Sequence, residues 1–164
     1  MHLISLAAEF KIDVIAFMSE KTSNPSEAVT SAWTNIMRAR ERLLAAIEAD
    51  LKAAGVPPLA WYDVLWELAR SQDGRLRPYE IEERTLLAQY NLSRLIDRLE
   101  KEGLVRREAF AEDGRGRWVV ITDAGRKLRE RMWTVYARSI ETHIGCKLAE
   151  NEAKTIADLL DRFL

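Results

Sequence analysis

Gln89, Asn91 and Arg94 are the residues whose types and spacing most directly suggest chemistry in this chain. Side-chain amides bond adenine bidentately, and a guanidinium bonds guanine in the same way. With Tyr90, Ser93 and Arg98 they lie on the polar side of a run in which Leu92, Leu95, Ile96 and Leu99 recur at helical spacing. The pattern predicts a helix over about 88–102, ended at Gly103 by a left-handed residue. Such a helix suits the DNA major groove, where Tyr90 fits a thymine methyl or a phosphate. Downstream, Glu112-Asp113-Gly114-Arg115-Gly116-Arg117 is a hairpin tip between two strands, Val105–Phe110 and Arg117–Ile121. Arg115 on that thin tip suits a narrow minor groove. Arg117, Arg98, Arg84 and Arg75 are phosphate candidates, which bind without reading sequence. The competing reading is a solvated helix face and a polar turn.

The rest of the chain must position these groups. Residues 3–20 read as a short amphipathic helix. Asn24-Pro25-Ser26-Glu27 reads as a helix start, with Asn24 as cap, for a helix running to about Ala54. Its stripe is Val29, Trp33, Ile36, Met37, Leu43, Leu44, Ile47 and Leu51. A helix over 59–70, a short strand at 75–77 and a brief helix over 79–85 follow. After the hairpin, Thr122-Asp123 caps a helix expected to reach Cys146, and a last helix spans about 150–164. The expected fold is mainly α with a small β-hairpin wing: a winged helix-turn-helix flanked by long dimerisation helices. The division is an N-terminal extension helix (1–23), a helical dimerisation region (24–58 and 122–164) and a DNA-binding region (59–121). The flanking helices carry more apolar surface than so small a module can cover, which implies burial against a second copy, a homodimer.

Composition narrows the class. Lys and Arg number 25 and Asp and Glu 26, so the whole chain is not a polycation. The segment 84–129 nevertheless holds eleven Lys/Arg against seven Asp/Glu, a basic module on an acidic body. One cysteine, Cys146, excludes an intramolecular disulfide and fits a reducing compartment. No stretch approaches the ~20 apolar residues of a membrane span, and no positive n-region marks a signal peptide, so cytoplasm is expected. His2 and His143 are too distant in sequence to suggest a metal set, and no nucleophile–base pair or phosphate-binding glycine loop is visible. No enzyme, metal or cofactor is therefore expected, and Cys146 reads as a buried or interfacial inert thiol.

Three segments carry a family resemblance: Ser93 to Val105, the wing Asp113-Gly114-Arg115, and Ile121-Thr122-Asp123-Ala124-Gly125. Together they resemble the MarR (multiple antibiotic resistance regulator) family of bacterial transcription factors, with similar element order over roughly residues 27–164. The third segment resembles the family's L-T-x-x-G pattern at the start of its dimerisation helix. Gly114 departs from the family's usual Asp-Arg-Arg wing, and Ala88 stands where a capping Ser or Thr is common. The resemblance implies a homodimer on pseudo-palindromic double-stranded DNA operators, with Asp113 helping to hold Arg115. It also implies a repressor released by a small aromatic or phenolic ligand, in a pocket among Trp33, Trp61, Tyr62, Trp66, Trp133 and Tyr136. Arg38, Arg40 and Arg42 are candidate cations for a carboxylate. Ordinary core and dimer packing is the competing account of these aromatics. The alternative function is a winged-helix protein-interaction module without DNA binding, which would show an apolar outer stripe where this chain has Gln89, Asn91, Arg94 and Arg98.

Overall fold

Helix ends in this protein follow local chemistry more than helix propensity. A computed structural model describes residues 24–85, 87, 89–109 and 116–164, excepting the side chains of Gln89 and Tyr90. The expected helix over 3–20, Ala88 and the hairpin tip with Asp113, Gly114 and Arg115 lie outside the described residues. Helix α1 spans Glu27–Ala53. Its start differs from expectation. Ser26, not Asn24, supplies the cap, its Oγ accepting from the Val29 N–H at 3.3 Å. An Ncap oxygen serves the N–H two or three residues on, and Asn24 is too far upstream to do so.

The chain divides into two compact units, Met1–Glu41 and Arg42–Leu164. In the first, the described stretch of α1 leaves Val29, Trp33, Ile36 and Met37 exposed. The second contains every other element. Helix α2 is Leu59–Arg70, strand β1 Arg75–Leu76, helix α3 Pro78–Arg84 and helix α4 Gln89–Lys101. Strands β2 (Val105–Ala109) and β3 (Arg117–Ile121) follow, then α5 (Asp123–His143) and α6 (Glu150–Leu160). The sheet is antiparallel in the order β1-β3-β2. Alternation puts Leu76, Val105, Val119 and Ile121 on its buried face. Arg75 and Arg106 both pair with Val120, and Glu108 pairs with Trp118, so these side chains share the other face.

The core joins Ile47 and Leu51 of α1, Val64, Leu65 and Leu68 of α2, Ile81 of α3, and Leu128 and Met132 of α5. The apolar stripe of α4 completes it: Leu92, Leu95, Ile96 and Leu99 are all buried. Two helices are shorter than the sequence suggests. α5 stops at His143 instead of Cys146, because Ile144 leaves helical geometry (φ −123°, ψ −59°) ahead of Gly145, and a 3-10 turn follows over Gly145–Lys147. α6 gives way to a 3-10 turn over Asp161–Phe163. Cys146, expected to be buried or interfacial, is exposed on the chain. Ala149 offers α6 no side-chain cap, and Glu152 compensates by accepting from the Ala149 N–H at 2.8 Å. Among the described residues no helix is long and apolar enough to cross a membrane.

Candidate nucleic-acid interface

The end of α4 is fixed by backbone chemistry. Gly103 takes a φ of 69°, and its N–H bonds the Glu100 carbonyl while the Leu104 N–H bonds that of Leu99, both at 2.9 Å. This is the double bond pattern of a left-handed glycine terminus, which turns the chain directly into β2. Thr122 then ties the two helices of the module together. Its Oγ1 donates to the Gly103 carbonyl at 2.8 Å and accepts from the Gly125 N–H at 3.1 Å. Gly125 is required by space: a Cβ there would collide with the Leu104 carbonyl oxygen and approach the Ile121 side chain to 2.9 Å. The T-x-x-G pattern at 122–125 is thus the point where α5 seats on the end of α4.

With its stripe buried, α4 turns Asn91, Ser93, Arg94 and Arg98 to solvent. Asn91, Arg94 and Arg98 line one groove of about 260 Å³ with Trp61 and Pro58. Ser93 lines another, of about 450 Å³, with Tyr79, Glu82 and Arg107. Two carboxylates of the helix are engaged by one arginine of β2. Asp97 accepts from Arg107 Nη2 at 2.5 Å, and Glu100 accepts from Arg107 Nη1 and from its backbone N–H at 3.1 Å. Burial opposes the charge on Arg107, but these bonds outweigh it and raise its pKa. What remains outward at 91, 94 and 98 is amide and guanidinium. Arg117 is exposed at the start of β3.

The aromatic residues separate into groups. Tyr62 stacks on Trp66 (6.1 Å, 12°) and on Trp133 (6.0 Å, 20°), and meets Tyr136 edge-on at 5.2 Å. Trp66 and Trp133 remain 39% and 46% exposed, so this is a surface-open ladder and not a closed core. Trp61 is not part of it; it faces the α4 groove. Trp33 belongs to the first unit, where it is exposed. Sequence reasoning missed the cation of the ladder. Arg129 lies 5.5 Å over the Trp66 ring and, with Arg70 and Arg126, lines a groove of about 260 Å³ beside it. The signal was present: Arg129, Trp133 and Tyr136 share a helix face, as do Tyr62 and Trp66, while position 61 is turned away.

Two polar features were also invisible in the sequence. Asp50 of α1 accepts from Ser139 Oγ at 2.6 Å and lies 2.9 Å from His143 Nε2, both on α5. The bonds from Ser139 and His143 hold its pKa below the ordinary carboxylate value. Ser139 is bonded to the carboxylate rather than to the imidazole, so the trio is a tie between helices and not a nucleophile–base pair. Asp63 of α2 is pushed up to about 6, first by burial and then by Glu48 and Glu67. Among the described residues no three His, Cys, Asp or Glu side chains form a group that could hold a metal.

A MarR family model matches residues 54–116, from just after α1 to just before β3. Sco5413, a MarR family transcriptional regulator from Streptomyces coelicolor, is 28% identical (TM-score 0.72) over 84% of this chain and 94% of its own. Sco3205 from the same organism, a MarR family regulator solved in complex with DNA, is 23% identical with a TM-score of 0.79 over 88% and 91%. BpsR of Bordetella bronchiseptica, whose DNA binding is regulated by 6-hydroxynicotinic acid, is 22% identical with a TM-score of 0.72 over 81% and 98%. No curated protein matches the sequence. Motif segments, the matched region and the shared fold agree: residues 54–116 match the MarR family model, and the chain resembles MarR family transcriptional regulators in fold.

Proposed function

We propose that the chain is a sequence-specific DNA-binding repressor, cytoplasmic, that acts as a homodimer on pseudo-palindromic operators and is released by a small aromatic or phenolic ligand. The observation that carries this reading is the outward face of α4. A helix with four buried apolar residues and Asn91, Arg94 and Arg98 in solvent has the shape and donors that major-groove readout requires. In this reading Gln89, Tyr90, Asn91 and Arg94 face base edges, with Ser93, Arg98 and Arg117 nearby. Arg115, supported by Asp113, enters the flanking minor groove.

Dimerisation is supported by apolar surface that stays exposed among the described residues. Ile156, Leu159, Leu160 and Phe163 are exposed near the C-terminus, and Val29, Trp33, Ile36 and Met37 along the first part of α1. Ligand control is supported by the ladder of Tyr62, Trp66, Trp133 and Tyr136 with Arg129 beside it, and by the behaviour of BpsR.

Selection of bound sequences from random duplex DNA tests the reading. A dimer predicts a pseudo-palindrome with half-sites one helical turn apart, ~34–36 Å centre to centre. Asymmetric selected sites, or no salt-dependent binding to any duplex, would overturn it.

A further inference from the structure

We propose that Trp118 backs a phosphate clamp, holding Arg75 and Arg77 against one indole ring at the base of the hairpin for the DNA backbone beside the recognition helix. The proposal rests on the DNA-binding reading above and extends it to residues outside α4 and the wing tip.

The sheet register brings the three together. Arg75 and Trp118 share its outer face, and Arg77 follows β1 directly. The guanidinium carbon of Arg75 lies 4.9 Å from the Trp118 ring centroid, and that of Arg77 lies 5.1 Å from it. Both are within range of a cation–π attraction. Two like charges drawn to one ring repel each other, and a phosphate bridging them removes that repulsion. Stacking uses the face of a guanidinium whereas a phosphate takes its edge, so both contacts can be made at once. An indole fixed on a strand therefore presents both forks with little of the rotamer freedom that long side chains ordinarily lose on binding.

Location and exchangeability support the assignment. Arg77 is the residue from which α3 starts, and α3 is the first helix of the helix-turn-helix, the helix that crosses the DNA backbone in such modules. The acids near the site among the described residues, Asp73, Glu80 and Glu108, do not block it, and Glu108 is held by Arg106 at 2.6 Å. Asp73 pairs with Arg75 at 3.2 Å, but the two side chains are 59% and 41% exposed, and so solvated a pair holds weakly against a phosphate. Glu80 is committed to the Arg77 backbone N–H at 2.7 Å. A groove of about 340 Å³ runs beside Trp118, and Arg70 and Arg84 add two further cations to its lining.

The test is a salt titration of the full chain on mixed-sequence duplex and on its selected operator. Arg75→Gln with Arg77→Gln is expected to reduce the slope of log K against log salt by about 2, at ~0.9 per phosphate contact. Operator binding near 0.1 M salt should fall by at least about tenfold, with base preference unchanged. Trp118→Leu should reproduce part of the slope loss and Trp118→Phe should restore it; a structural role alone would move melting temperature, not the slope. A double-arginine variant with wild-type slope overturns the clamp, while loss of base preference in Arg94→Ala in the same assay leaves the DNA reading standing. Trp118→Leu with wild-type slope overturns the backing role. If that variant does not fold, the surface arginine pair decides. Absence of salt-dependent binding by the unaltered chain overturns both readings.

Discussion

Helices α4 and α6 are alike in length and amphipathicity, 13 and 11 residues, yet they end in opposite environments. On α4 the four stripe residues Leu92, Leu95, Ile96 and Leu99 are at most 8% exposed. On α6 no residue is buried, and Leu159 is 45% exposed. The same sequence signal, an apolar stripe at helical spacing, is satisfied within the chain in one case and left open in the other. An apolar face burdens an isolated chain with unfavourable hydration, at about 25 cal/mol per Å². The stripe of α4 thus escapes that burden, while the stripe of α6 bears it among the described residues.

The sharpest way to break that contrast is to charge the open face. Leu160→Glu with Phe163→Glu should leave the fold of the α4 module intact and convert the protein to monomers, read by sedimentation at micromolar concentration. Operator affinity should fall by about 10²–10⁴-fold, the avidity lost when two half-sites are no longer engaged together. A variant that stays dimeric would remove α6 from the interface. The complementary substitution acts on the closed face. Leu99→Ala should cost about 2–5 kcal/mol of unfolding free energy by cavity formation. That loss should be independent of protein concentration, whereas truncating Leu159 should produce one that grows as concentration rises and then levels off.

The outward side of α4 is the third test. Arg94→Ala should cost ~1–3 kcal/mol in operator binding and relax the base preference at one position, with stability unchanged. Uniform weakening across all sequences would instead make Arg94 a phosphate contact.

What the sequence could disclose follows from the range of each interaction. The α4 stripe, Gly103, and the Thr122–Gly125 junction involve near neighbours or a fixed turn chemistry, and the amino-acid pattern is enough to read them. The split between Trp61 and the Tyr62–Trp66 ladder is also local, since one residue along a helix turns a side chain by about 100°. Grouping the aromatics by type instead of by helix face hides it. The Asp50–Ser139–His143 tie is different. It joins residues 89 and 93 positions apart, and nothing local to Asp50 foretells them. Arg107 was similarly opaque: its charge suggests DNA, but the return of β2 beside α4 gives it to Asp97 and Glu100. The exposed basic residues and the neutralised ones look the same until the sheet register is known.

The smallest expected effect concerns a carboxylate that the fold tolerates rather than uses. Asp63 on α2 has a folded-state pKa raised from 3.8 to about 6, by burial first and by Glu48 and Glu67 next. Its protonated form is therefore favoured in the native state. The stability it contributes is complete below the unfolded pKa and is lost as pH rises through about 6. At neutral pH the group is a net burden. The full shift corresponds to about 3 kcal/mol, reduced to roughly 1–2 kcal/mol because the side chain is partly solvated. Asp63→Asn should raise stability by that amount above about pH 7 and by almost nothing below about pH 4. Asp50, with a depressed pKa, has the opposite sign: its contribution is present above its unfolded value and disappears as pH falls through its folded one. Thermal melts of Asp63→Asn and Asp50→Asn across this pH range should therefore diverge, one gaining at neutral pH and the other losing there. Equal gains for Asp63→Asn at every pH would assign the effect to packing, and would place Asp63 among the satisfied residues of α2 rather than the charged ones.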